Sequence, residues 1–299
     1  MKPARNPKVT ELEQNLHRLR IADGRVLYLV GTAHVSTASA DQVERVIRKY
    51  RPDTVCVELD AQRLEGLMQQ DRFKDLDIVK IILSKQLFFF IGQFIMSSFQ
   101  KKMADKTGAE PGMEFRRAVD VSRELGARLV LADRNIGITL KRAWRITRFW
   151  SKMKLLASVI AGKDENLDDV DIESLKSADA IHSMVESFSD ELPDAKRVLI
   201  DERDAYLTSM IQENLGTTTV AAVGAGHVPG MLQLFASRII PRDEREGYDR
   251  VPPRSVAGRM VPWLIPAIIM GGFVWGIARG NLSQATDAAI YWTLVTGLL

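Results

Sequence analysis

Two apolar runs, far apart in the chain, end in the same turn, Gly-x-x-His. Val26-Leu27-Tyr28-Leu29-Val30 leads into Gly31-Thr32-Ala33-His34, and Val220-Ala221-Ala222-Val223 leads into Gly224-Ala225-Gly226-His227. Imidazole moves protons or holds metals near neutral pH, and the whole sequence carries only four of them. Each run reads as a buried strand, and each glycine permits a sharp turn or a close approach by another group. Ligands of open α/β sheets bind just beyond the carboxyl ends of the strands. Two imidazoles delivered to that edge can converge on one site. The alternative is that each merely caps its strand or the helix that follows. His17 and His182 lie outside such a setting and read as surface residues.

Carboxylates and guanidinium groups stand near the same positions in the pattern. Glu58 and Asp133 close apolar strands, Glu114 and Glu202 sit in helical stretches, and Arg63, Arg116, Arg117, Arg134 and Arg203 lie close by in sequence. Two imidazoles and one carboxylate make a catalytic set for a divalent metal with an open position. Such an ion polarises a carbonyl and lowers the pKa of bound water to about 7, and a further carboxylate then serves as general base. Without a metal, His34 itself activates water, with Glu58 or Asp133 orienting its ring. In either case the arginines hold a carboxylate or stabilise an oxyanion. The sequence has no HExxH, so this is not zinc-protease spacing.

Placing these groups takes an ordered set of strands. Arg25–Gly31, Asp53–Leu59, Ala127–Ala132 and Thr218–Gly224 read as strands. Ala38–Tyr50, Asp60–Asp71, Gly112–Leu125 and roughly Asp194–Asn214 read as helices between them. This alternation predicts an α/β fold with a mostly parallel, mixed central sheet flanked by helices. The middle breaks the pattern, as a helical insertion over about 78–188. There Ile78–Met103 carries Leu87-Phe88-Phe89-Phe90-Ile91 among lysines. It is expected to lie on a membrane, to pack on a partner subunit, to fold over the site, or to pack inside the same chain as a helical hairpin. Thr139–Ile160, with Arg142, Arg145 and Arg148 among tryptophans, reads as a membrane-surface helix or a solvated basic face.

Composition removes some function classes. The 41 basic and 38 acidic residues leave a net charge of +3, too little excess for a dedicated nucleic-acid binder. The single cysteine, Cys56, excludes an intramolecular disulfide framework and any cysteine-rich metal site. The basic N-terminus lacks the apolar stretch of a signal peptide, so the main domain is expected in the cytoplasm. Val261–Ile277 is uncharged and bracketed by Trp263 and Trp275, with Arg250, Arg254 and Arg259 before it. That pattern predicts a membrane helix with a cytoplasmic flank. A second apolar run is still apolar at Leu299 and looks cut short. The expected organisation is an α/β domain over 1–255 and a C-terminal transmembrane region over 256–299.

Read together, GTAHVS at 31–36, CVELD at 56–60, EFRRA at 114–118, LADRNIGITLKRAW at 131–144, DERD at 201–204 and VGAGHVPG at 223–230 resemble the TraB/PrgY family. The resemblance runs over almost the whole chain in the expected order. It implies kinship with the Tiki peptidases, the GumN-like proteins, the haem-binding ChaN proteins and the erythromycin esterases. It also implies a cytoplasmic domain followed by membrane helices. By that resemblance His34 and His227 are metal ligands, with Glu58 the third and manganese, cobalt or zinc the ion. Glu202 is then the general base or a fourth ligand, and Arg203, Arg134 and Arg116 contact substrate or oxyanion. Glu114 and Asp133 are expected to orient those groups. The implied substrate is a peptide or small signal, either hydrolysed or only sequestered; the other alternative is a membrane-organising protein using the same cleft. Partners are membrane lipid and a second copy of the chain, joined through the central apolar helices.

Overall fold

The computed structural model describes residues 7–33, 37–68, 112–148, 151 and 193–253, with isolated helical positions at 270, 271, 275 and 278. His34, the Ile78–Met103 stretch and nearly all of Val261–Ile277 lie outside the described residues. Among the described residues, no helix is long and apolar enough to cross a membrane. The chain divides into two units, Met1–Val251 and Pro252–Leu299, and the elements below belong to the first.

Six strands form one mixed sheet in the order β1-β2-β3-β6-β4-β5. The first three, β1 (Lys8–Glu13), β2 (Leu16–Arg20) and β3 (Val26–Thr32), make an antiparallel meander. The sequence reading takes in only β3 of these. The edge strand, KVTELE, is mostly exposed and fully buries no residue, with only Thr10 and Leu12 half-buried, so it gives little apolar period to read. Asn15 holds the β1–β2 turn with a φ of 60°, a left-handed conformation that asparagine tolerates better than most residues. From β3 the sheet is parallel: β6 (Thr218–Gly224) pairs with β3, β4 (Thr54–Val57) with β6, and β5 (Arg128–Leu131) with β4. The chain therefore skips one place after β3 and fills it last, with β6. All four parallel strands end on one edge.

Alternation along the strands sends side chains to two cores. Tyr28, Val30, Val55 and Val57 pack with Val43 and Ile47 of α1 (Thr37–Tyr50) and with Phe115 and Ala118 of α3 (Met113–Glu124). Leu27, Leu29, Cys56 and Val223 pack on the other face with Leu207 and Ile211 of α6 (Glu202–Glu213) and with Met231 and Phe235 of α7 (Val228–Ser237). The result is a sheet between two helical layers. Among the described residues of this unit, the remaining α-helices are α2 (Ala61–Met68), α4 (Ile136–Ile146), a single turn α5 (Pro193–Lys196) and α8 (Arg242–Tyr248).

Two helices differ from expectation for local reasons. Asn135 caps α4 by accepting the Gly137 and Ile138 N–H groups, which starts it ahead of Thr139, and it stops where Thr147 turns extended with ψ 131°. Its Arg142 is buried rather than on a solvated or membrane-facing surface. The stretch expected as one helix from Asp194 is interrupted by a π-helical turn over Arg197–Asp201, closed where the Glu202 N–H donates to the Arg197 carbonyl. Such turns rotate the residues that follow and are frequent next to functional groups.

Candidate active site

Glu58 is the first residue past β4. Its N–H still donates to Ala222 O of β6 at 3.1 Å, which fixes its side chain at the junction of the two strands. Glu58 Oε2 accepts the Gly224 N–H at 2.6 Å, and Oε1 accepts from Arg203 Nη2 at 2.5 Å. Asp133 is held in the same way past β5, its N–H donating to Leu59 O at 3.3 Å. Arg203, in the first turn of α6, reaches across to Asp133 Oδ2 at 2.7 Å as well. Arg63 adds a second cation, with Nη1 at 3.2 Å from both Asp133 Oδ2 and the Glu58 carbonyl. Asp60 sets the position of Arg63. It accepts the Arg63 N–H at 2.7 Å as the cap of α2 and the Ile136 N–H at 2.9 Å, tying the starts of α2 and α4 together.

His227 ends a 3-10 turn over Ala225–His227 that follows β6 directly. Nδ1 lies 2.5 Å from Asp204 Oδ1, and Nε2 lies 3.6 Å from Glu58 Oε1. Asp204 reaches the ring because α7 presents a glycine to it. A Cβ on Gly230 would fall 1.9 Å from Asp204 Oδ2, so no other residue fits there with Asp204 in place. The first Gly-x-x-His turn leaves the sheet beside the second. Gly31 and Thr32 pair with Val223 and Gly224, and a Cβ on Gly31 would meet Val228 Cγ2 at 2.9 Å and Ala225 Cα at 3.2 Å. Beyond it, the Ala33 N–H donates to Ser39 Oγ at 3.1 Å. His34 follows immediately, outside the described residues.

The carboxylates of this cluster and His227 are buried, and burial sets their electrostatics. It disfavours the charged Arg203 guanidinium, but Glu58 and Asp133 outweigh that and hold Arg203 above its ordinary pKa. Burial likewise pushes the Asp204 carboxyl up, and the hydrogen bond from His227 pulls it back. Among the described residues, no three His, Cys, Asp or Glu side chains converge as a metal set. Glu58 and His227 do meet.

Glu202 and Arg134 sit next to this cluster but form a separate one. Arg142 Nε and Nη2 donate to the two oxygens of Glu202 at 2.9 and 2.8 Å, and Arg134 Nη1 reaches Glu202 Oε2 at 3.2 Å. Arg134 is 1% exposed and spends its other donors on Thr139 Oγ1, Tyr248 O and Val198 O. Burial lowers its pKa against the pull of Glu202. Arg142 also donates to the carbonyls of Gly247 and Arg250. Glu114 is buried in the first turn of α3, while Arg116 is on its exposed surface. Sequence reasoning missed Asp204, Asp60 and the inward turn of Arg142. In Asp201-Glu202-Arg203-Asp204 every residue is charged, so hydropathy gives no sign of which ones face inward.

Relatives share this chain over long stretches. The model of the TraB/PrgY/gumN family matches residues 15–238. An uncharacterized protein of Methanocaldococcus jannaschii is 32% identical over 212 residues, covering 69% of this chain and 52% of its own. The chain thus spans about half the length of that relative. TraB domain-containing proteins of Mus musculus and Homo sapiens are each 29% identical over 297 residues, covering 91% of this chain and 78% of theirs. A match that takes in both Gly-x-x-His turns and every strand from β2 to β6 settles the kinship: the chain belongs to the TraB/PrgY/gumN family.

Proposed function

We propose that the chain is a hydrolase of peptides or related amides and esters, dependent on a divalent metal and working at the carboxyl edge of the parallel strands. The orientation of His227 carries this reading. Asp204 holds Nδ1 at 2.5 Å while Nε2 is turned to Glu58 Oε1 at 3.6 Å. A carboxylate behind an imidazole fixes its tautomer and makes the outward nitrogen a better donor, the usual support of a metal-binding histidine. The site is also rich in buried carboxylates: among the described residues, Glu58, Asp133 and Asp204 lie beside Arg203 and the rim residue Arg63. His227 and Glu58 would hold the ion, with His34 as third ligand.

When bound, the ion supplies Lewis acidity toward a carbonyl and brings the pKa of a water to about 7. The chain's own residues do the rest. Asp204 keeps the ring of His227 in one tautomer, and the Gly224 N–H and Arg203 fix the Glu58 carboxylate. Arg203, which stays charged at any working pH, steadies the negative charge that builds on the carbonyl oxygen. Glu202 and Arg134 act in the architecture instead. Both Glu202 oxygens accept from Arg134 and Arg142, which ties this carboxylate to the neighbouring cluster rather than to His227 and Glu58. Attachment to a bilayer through Val261–Ile277 and pairing of two copies through 78–103 belong to the same proposal.

A second reading is capture of a peptide or signal without turnover. The Arg203–Glu58 contact favours it, because a carboxylate already paired at 2.5 Å is a weaker metal donor. The deciding experiment is elemental analysis of the parent, His34→Ala and His227→Ala, with a peptide-cleavage screen in manganese, cobalt and zinc. Near-stoichiometric metal in the parent, lost in both variants together with cleavage, supports the hydrolase. Peptide binding that survives a chelator, with no product in any metal, overturns it in favour of capture.

A further inference from the structure

One edge of the Arg63 guanidinium has no task in the reading above. Its Nη1 is anchored by the Glu58 carbonyl and Asp133 Oδ2, both at 3.2 Å. Asp133 does not depend on it, since Arg203 donates to both Asp133 oxygens and the Arg134 N–H to one. Among the described residues, Nε and Nη2 of Arg63 meet no acceptor. The side chain is 33% exposed, against 15% for Arg203 and 1% for Asp133. Arg63 is therefore a guanidinium pinned by one corner at the rim of the site, with its Nε–Nη2 edge turned outward. That edge is a planar fork that matches the two oxygens of a carboxylate.

We infer that Arg63 recognises a carboxylate on the substrate, so that the peptide or ester handled at this site carries an acidic group close to the reacting carbonyl. This rests on the hydrolase reading. The charge argument favours a monoanion. Glu58 and Asp133 stand next to Arg63 and repel a dianionic phosphate more strongly than a carboxylate, whereas one guanidinium edge matches one carboxylate. A mere tether for α2 would need only the Nη1 corner. Lysine preserves the charge and a single donor but not the fork, and so separates tether from recognition.

The test uses the full chain with two pools of N-acetylated tripeptides of identical composition, one ending in a free carboxylate and the other in a carboxamide. Retention is read by equilibrium dialysis and mass spectrometry for the parent, Arg63→Lys and Arg63→Gln, each first confirmed as folded by its thermal transition. The parent is expected to retain the acid pool about tenfold more strongly than the amide pool, as charge-assisted bidentate bonding allows. Arg63→Gln brings the two pools to about the same retention, and Arg63→Lys falls between. Equal retention by the parent, retention of neither pool, or an undiminished preference in Arg63→Gln overturns the inference. Cleavage of both pools alike also overturns it while leaving the hydrolase standing. Selective retention of the acid pool with no cleavage in any metal does the reverse.

Discussion

The imidazole of His227 is useful only as far as Asp204 holds it. Asp204→Asn keeps the shape but can present an N–H where the ring needs an acceptor. On the proposed metal reading, losses of about tenfold to a hundredfold in metal affinity follow from such changes behind a ligand, and titration calorimetry of parent and variant checks this. The same residue leaves a mark on stability. Burial raises the Asp204 carboxyl above its ordinary 3.8, against the pull of His227. Just above that pH the folded chain still holds a proton that the unfolded chain has released. Its contribution therefore falls as pH rises toward the raised value. Asp204→Asn removes that fall, and urea unfolding at a series of acidic pH values reads it. Gly230 is the steric counterpart. A methyl group there would sit 1.9 Å from Asp204 Oδ2, so Gly230→Ala displaces the carboxylate, costs about 1–3 kcal/mol as overpacking does, and lowers metal affinity alongside Asp204→Asn.

Among elements, α6 brings the two charge clusters together, because its first turn carries Glu202, Arg203 and Asp204 in succession. Glu202→Ala strands two buried guanidinium groups, Arg134 and Arg142. Breaking a buried pair from one side costs about 3–5 kcal/mol, and Glu202→Gln, which keeps an acceptor, costs less. Chemical denaturation of both variants orders them. The four parallel strands could be read from the sequence because buried strands are short apolar runs bounded by turn residues. β1 and β2 could not, since β1 is mostly exposed and the buried leucines of β2, Leu16 and Leu19, are separated by two polar residues rather than joined in an apolar run. In the site, Glu58, Asp133 and His227 announced themselves as polar residues ending apolar strands. Asp204 gave no such sign, because its burial comes from a π turn and a glycine on another helix rather than from its neighbours in sequence. Arg134 and Glu202 looked catalytic for the same reason that Arg203 did, and only the packing separates them.

At the scale of the molecule, β6 is the last strand made and takes a central place, between β3 and β4. A fragment ending before Thr218 lacks the strand that joins the meander to the parallel half, along with Gly224 and His227. It is expected to show no cooperative unfolding transition by circular dichroism, and a two-state melt would contradict this. The two halves of the chain also meet through crossed charges. Asp133 and Arg134, past β5, face Arg203 and Glu202 of α6, opposite sign to opposite sign. If α6 docked one residue out of step, in either direction, Asp133 would meet Glu202 or Asp204, two anions enclosed together. These four residues therefore work as a key cut for a single alignment. A helix slipped by one residue would set like charges against each other inside the protein, which favours the alignment that builds the site.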